Sequence, residues 1–429
     1  MIISETLDKI EIDYSWSFLD KTIKDTSYIT HGYYTYPAKF IPQLASRLIN
    51  TYSKEGDVVL DPFMGSGTTI VEALLNNRIG IGTDVNEIAY LVSKVKTTPI
   101  ESKNLYSVFF KVESDLHIRL GKDYKEWVIT ALQNIPKNER IDYWFLPEQK
   151  EKLAIILFTI REIEDKDIKD FFLIAFAQIL KSASVWMQKS IKPTRDLKKK
   201  IYDPQKLFLQ QLQKMIKRHI EFGKLLTDKT KSNIVICRNI SCGDSRKISC
   251  KDETVQLVVT SPPYVTSYEY ADLHQLPSLW LGFLEELASF RKKFIGSSYK
   301  EREEVNLQSN LADSIVKQLK NKKKREVRNY FADMLETFVE VKRVLKKGGK
   351  ACFVIGNTEF KGTKILNAEV FKEQFESLGF RTHNIIKREI PSKMLPSTRD
   401  ITTGRFGKAT KEGIKLAYPT EYILIMEKI

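Results

Sequence analysis

Asp57-Val58-Val59-Leu60-Asp61-Pro62-Phe63-Met64-Gly65-Ser66-Gly67-Thr68-Thr69 is a short apolar strand that runs into a glycine-containing turn. Ile70, Val71, Ala73, Leu74 and Leu75 then mark the buried face of a helix. Glycines at 65 and 67 remove side chains where a ligand must approach the backbone. Arg78-Ile79-Gly80-Ile81-Gly82-Thr83-Asp84 follows as a second strand ending in an acid. That acid lies about 20 residues on, the spacing at which a carboxylate takes ribose hydroxyls. Asp61 and Asp84 are therefore expected to line one nucleoside-shaped cleft.

Far downstream, the apolar run Val255-Gln256-Leu257-Val258-Val259 reads as a buried strand, and it stops abruptly at Thr260-Ser261-Pro262-Pro263-Tyr264. Two prolines cannot continue a ladder, so the exit is rigid. It offers a hydroxyl, a backbone carbonyl freed from pairing and an aromatic face at the carboxyl end of a strand, where open α/β sheets bind ligands. The plainer reading is a strand followed by a proline turn.

With both stretches in one chain, the sequence resembles the S-adenosylmethionine-dependent DNA amino-methyltransferases, which modify an exocyclic amine of cytosine or adenine. Asp61, Pro62, Phe63, Gly65, Gly67 and Thr68 stand in what looks like that family's cofactor motif, and Thr260-Ser261-Pro262-Pro263-Tyr264 in what looks like its catalytic motif. The serine form is typical of N4-cytosine enzymes of restriction-modification systems; N6-adenine enzymes more often carry Asp or Asn there. The resemblance implies that Tyr36 and Pro37, in Tyr36-Pro37-Ala38-Lys39-Phe40, cover the methionine end of the cofactor, and that Thr260 and Asp84 contact it too. It also implies that Asp244, in Cys242-Gly243-Asp244-Ser245, bonds the adenine amino group. A tyrosine-rich loop before a core helix opened by Pro42, and a turn-stabilising Asp244, are the structural alternatives. The cofactor motif comes first here, whereas some relatives have the reverse order.

Composition agrees with a nucleic-acid enzyme without naming one. The 429 residues allow one large domain with insertions or two domains. A net charge of +15 attracts polyanions, DNA or RNA alike. No run approaches the roughly 20 apolar residues of a membrane span, and the first residues lack a signal-peptide layout. A cytoplasmic protein is expected. Four scattered cysteines and five scattered histidines point to free thiols and no metal site.

Along the chain, residues 86–95 read as a helix. Asn233-Ile234-Val235-Ile236-Cys237 reads as a strand, 330–345 as a periodic helix stopped by Gly348-Gly349, and 351–356 as a buried strand. A helix over 367–378 and strands at 381–390 and 421–426 complete the pattern, the last two joined by a loop and so antiparallel neighbours. The expected fold is α/β, a doubly wound, mainly parallel, seven-stranded Rossmann-like methyltransferase sheet. The catalytic domain is assigned to 31–96 and 233–429. A mainly helical insertion over 97–232 is the first candidate for target recognition, and a polar, basic excursion over 285–328, mobile or ordered by DNA, is the second. Contacts to nucleic acid are expected from Arg195, Lys198, Lys199, Lys200, Tyr268, Arg399 and Arg405, although basic runs are more often solvated faces.

The expected reaction is methyl transfer from S-adenosylmethionine to the N4 amine of a flipped-out cytosine in double-stranded DNA, with a cognate restriction endonuclease as a second partner. N6-adenine methylation, an RNA base amine, and a catalytically silent DNA-binding subunit are the alternatives. Cytosine C5 chemistry needs a cysteine nucleophile, typically after proline, and no cysteine here follows one.

Overall fold

The computed structural model describes residues 7–37, 39–190, 192–265, 270–390, 398–400, 414–416 and 419–429. Its principal strands are β1 (Val58–Asp61), β2 (Ile79–Asp84), β3 (Arg238–Cys242), β4 (Val255–Thr260), β5 (Leu345–Ile355), β6 (Phe380–Glu389) and β7 (Thr420–Lys428). They form one seven-stranded sheet in the order β3-β2-β1-β4-β5-β7-β6. All neighbours run parallel except β7, which is antiparallel to both β5 and β6. The doubly wound expectation and the antiparallel ending both hold.

Alternation along the strands builds two cores. Val59, Leu257, Val259, Cys352 and Val354 face α1 (Pro42–Tyr52) through Leu44, Leu48 and Ile49. Leu60, Val258, Phe353 and Ile355 face the helices Asn321–Val344 and Asn367–Ser377, where Phe338 stacks on Phe375 with ring centroids 4.0 Å apart. With apolar side chains on both faces, β1 and β4 read as continuous apolar runs, as buried parallel strands do. The strand order reverses between β1 and β4. Their carboxyl ends therefore open a crevice at the switch point.

Helices α2 (Thr68–Leu75) and α3 (Glu87–Thr97) follow β1 and β2. Beyond α3, the stretch read as an insertion carries α4 (Ser102–Arg119), α5 (Lys125–Gln133), α6 (Glu139–Trp144), α7 (Pro147–Arg161), α8 (Lys166–Ile179) and α9 (Pro204–Leu225). These helices share one core with Ile88, Leu91, Val92 and Val95 of α3 and with Leu276, Leu279 and Trp280. They are an extension of the sheet's helical layer, welded to it by apolar contact.

Two local readings need correction. Ile234–Cys237 is a helical turn and the strand is the polar Arg238–Cys242. Its ladder with β2, Gly80 against Arg238 through Asp84 against Cys242, is fixed by backbone pairing at the sheet edge, while Val235 is left 83% exposed. The long helix ends at Val344, before the glycines, and β5 begins at Leu345. Gly348, at φ +71°, lies where the β4–β5 register shifts from Val255 opposite Leu345 to Leu257 opposite Lys350. Within 285–328, helices span Leu287–Lys293 and Asn310–Gln318, and the buried Ala312, Ile315 and Val316 join the second core.

Candidate active site

The turn after β1 is shaped by its two glycines. Gly65 (φ +45°) and Gly67 (φ +71°) both lie in the left-handed region. A Cβ on Gly67 would stand 2.7 Å from Ser93 Oγ, and one on Gly65 would press on the Tyr36 ring at 3.2 Å. Below the turn, the buried Lys96 donates to the Ser66 carbonyl at 2.5 Å and Ser93 Oγ donates to the Gly65 carbonyl at 3.0 Å. The loop is thus held rigid from beneath before any ligand arrives.

Above it lies a cleft of about 840 Å³ between the ends of β1, β2 and β4. Of the residues singled out in sequence, Tyr36, Pro37, Asp61, Pro62, Phe63, Gly65, Thr68, Asp84, Asp244 and Ser261 line it together. The Asp84 carboxylate accepts the Gly65 and Asn86 backbone N–H groups, both at 2.9 Å. Burial nevertheless pushes its carboxyl up to about 6. Asp61 is buried to the same effect, also at about 6, and accepts from Thr260 Oγ at 2.6 Å. That bond ties the ends of β1 and β4 together; Thr260 is fully buried behind the cleft and Gly67 caps α2 beside it. Asp244 is gripped by Arg246, Nε to Oδ1 at 2.9 Å and a terminal nitrogen to Oδ2 at 2.6 Å. Tyr36 rests on the neutral, buried His274 with ring centroids 4.5 Å apart.

Reading the sequence did not assign Lys39, Ser66, Lys293, Phe294 and Ile295, which also line the cleft. Lys39 donates to the His31 carbonyl at 2.8 Å, and burial lowers its ammonium to about 8. Ser66 Oγ and Thr68 Oγ1 are buried with no hydrogen-bond partner among the described residues. Unsatisfied hydroxyls of this kind are costly unless a ligand completes them. Two such hydroxyls at the N-terminus of α2, with a carboxylate at the end of β2, suit a molecule bearing an amino-acid end and a ribose.

Ser261, Pro263 and Tyr264 leave β4 in a line. Ser261 faces the cleft, Pro263 belongs both to it and to a second cavity of about 520 Å³, and Tyr264 lines that second cavity. Pro262 is buried between them. Phe294 and Ile295 also wall both spaces. Across the second cavity stand Tyr299, Glu326 and Arg291, whose guanidinium is held by Asp272 at 2.7 and 2.9 Å.

The expected phosphate contacts divide. Lys199 spends its ammonium on three backbone carbonyls, those of Lys181, Ser184 and Trp186, at 2.6, 2.9 and 2.8 Å. It is a structural cation, and burial lowers it to about 8. Arg195 lies over the Tyr143 ring at 4.4 Å. Tyr268 and Arg405 lie outside the described residues, and Arg399 is described only as backbone in a short strand, Thr398–Asp400. The described cysteines are free, and the described residues hold no cluster of metal-ligating side chains. Among the described residues, no helix is long and apolar enough to cross a membrane.

The family model described as DNA methylase, of N6/N4 type, matches residues 4–94 and 255–429 and leaves α4–α9 unmatched. The chain is 28% identical over 406 residues to the type II methyltransferase M.MvaI of Kocuria varians, across 88% of each protein. It is 22% identical to the type II methyltransferase M.MjaII of Methanocaldococcus jannaschii, across 91% of this chain and 81% of that one. A shorter match, 31% over 150 residues, covers 33% of this chain and 39% of a tRNA (guanine(10)-N2)-dimethyltransferase from the same archaeon.

Proposed function

Since the chain belongs to the DNA methylase family of N6/N4 type, S-adenosylmethionine-dependent enzymes, we propose that it methylates the exocyclic N4 amine of cytosine at a specific DNA site. By the same reading it is the protective half of a restriction-modification system, as the "type II" names of its relatives suggest. The observation that carries the proposal is the place of Pro263, in the wall of both the cofactor cleft and the neighbouring cavity. A donor in the first space and a base in the second meet at the Ser261–Tyr264 exit.

The cofactor supplies a methyl group on a positively charged sulfur. The protein's task is to hold and orient the amine, whose lone pair is delocalised into the ring. Ser261 and the Pro262 carbonyl accept hydrogen bonds from the amine and favour a pyramidal nitrogen. Tyr264 stacks on the base, which must leave the duplex to reach it at a cost of a few kcal/mol. Asp84 takes the ribose hydroxyls, while Ser66 and Thr68 take the amino-acid end. Transfer is direct, and catalysis is chiefly positioning.

The serine at 261 favours cytosine over adenine. The partial likeness to a tRNA guanine methyltransferase gives RNA a second place. Incubating the protein with tritiated S-adenosylmethionine and unmethylated DNA or RNA, then digesting to nucleosides, separates these readings. Label in N4-methyl-2′-deoxycytidine from DNA is expected. Label in N6-methyl-2′-deoxyadenosine, or in RNA alone, would overturn it.

A further inference from the structure

The β6–β7 pair ends in a buried ion pair with one oxygen to spare. Arg388 and Glu421 face each other across the two strands, and the guanidinium donates to Glu421 Oε1 at 2.6 Å. Their side chains are 2% and 9% exposed. Burying two charges gains little stability over an apolar pair of similar size. The second carboxylate oxygen is not idle, however: Glu421 Oε2 accepts the Tyr264 hydroxyl at 2.9 Å. One side of the same ring, at Cε2, is limited by Gly356, where even a Cβ would come within 3.1 Å of it. Asn367 pins that glycine by donating to its carbonyl at 2.9 Å. Arg388 is itself braced by the Ser17 carbonyl at 3.3 Å, which ties the assembly to the N-terminal segment.

We propose that Glu421, held by Arg388, is a positioning residue for methyl transfer: it fixes the Tyr264 hydroxyl and so sets the plane of the ring that stacks on the target base. The proposal rests on the reading of Tyr264 as the stacking residue. It gives a role to a buried ion pair set between two strands that also send Ile386, Ile423 and Ile425 into the apolar core. A ring held at its hydroxyl and by Gly356 is pre-organised, so binding a base need not order it. An untethered ring can swing, and small misplacements near reacting groups cost rate steeply.

The experiment is a mutant cycle on the full chain, reading kcat and KM for DNA, the cofactor Kd and the thermal midpoint. Tyr264→Phe keeps the ring and removes the tether; kcat should fall about tenfold, the loss of one hydrogen bond to a charged group, with cofactor Kd unchanged. The paired replacement Arg388→Met with Glu421→Leu should keep the thermal midpoint, because an apolar pair substitutes well for a buried ion pair. It should nonetheless lower kcat by the same factor, and adding Tyr264→Phe should then cost nothing more. Wild-type kcat in Tyr264→Phe, or full additivity of the two changes, overturns the proposal. Tyr264→Ala separates the layers. If it is inactive while the tether variants turn over normally, only the tether is wrong; if it too turns over normally, the stacking role falls and the proposal with it.

Discussion

Asp84 is a scaffold by its observed hydrogen bonds and a cofactor ligand in the function proposed above. Its two oxygens already receive the Gly65 and Asn86 N–H groups, so its charge shapes the glycine turn as well as facing the cleft. Burial raises its carboxyl to about 6, which makes it ionised at neutral pH and protonated at pH 5. The ionised form is the acceptor that ribose hydroxyls need. Cofactor affinity should therefore be full above pH 7 and fall through the window around 6, approaching tenfold per unit on the acid side. Calorimetric titration with S-adenosylmethionine from pH 8 to pH 5 measures it. Asp84→Asn should bind weakly at pH 8 and with a flatter profile; an unchanged slope would remove the ribose role. Asp61 titrates near the same pH, but its oxygen is engaged by Thr260, so it contributes to holding the strands.

The strand–turn–helix from β1 to α2 depends on Gly67 more than on any other backbone position of the site. Gly67→Ala must place a side chain at φ +71° and 2.7 Å from Ser93 Oγ. A cost of about 1–3 kcal/mol is expected, read as an earlier urea midpoint, together with weakened cofactor binding. An alanine variant of wild-type stability and affinity would contradict the account of the turn. This element was legible in the sequence because all its signals are local: an apolar run, two glycines and a helical period. β3 was not legible, since its residues are polar and its pairing is dictated by β2, while the apolar Ile234–Ile236 attracted the assignment. Lys199 misled for a related reason: a charge run says nothing of which cation turns inward to cap carbonyls. Glu421 lay in an ordinary strand, and only the fold brings it to Tyr264, 157 residues earlier.

In the whole molecule, the reversal of strand order between β1 and β4 decides everything about the site. The cleft proposed to hold the cofactor and the second cavity lie side by side, with Pro263, Phe294 and Ile295 in the wall of both. The helices α4–α9, outside the part matched by the family, form one core with α3 and therefore hold a fixed position relative to the cleft. Many cations of the 285–328 stretch are internally paired, such as Arg302 with Asp333 and Glu336. The net +15 is already counted after such pairs, so it is the unpaired remainder, and not these side chains, that is free to meet phosphate. Recognition of one DNA site by such a rigid assembly should leave a single mark in a genome. The most direct test is to express the protein in a host without methylation of its own and sequence the DNA by a method that maps modified bases. N4-methylcytosine at one short recurring motif is the predicted result; modified adenines at the motif, or a genome with no modification, would contradict it.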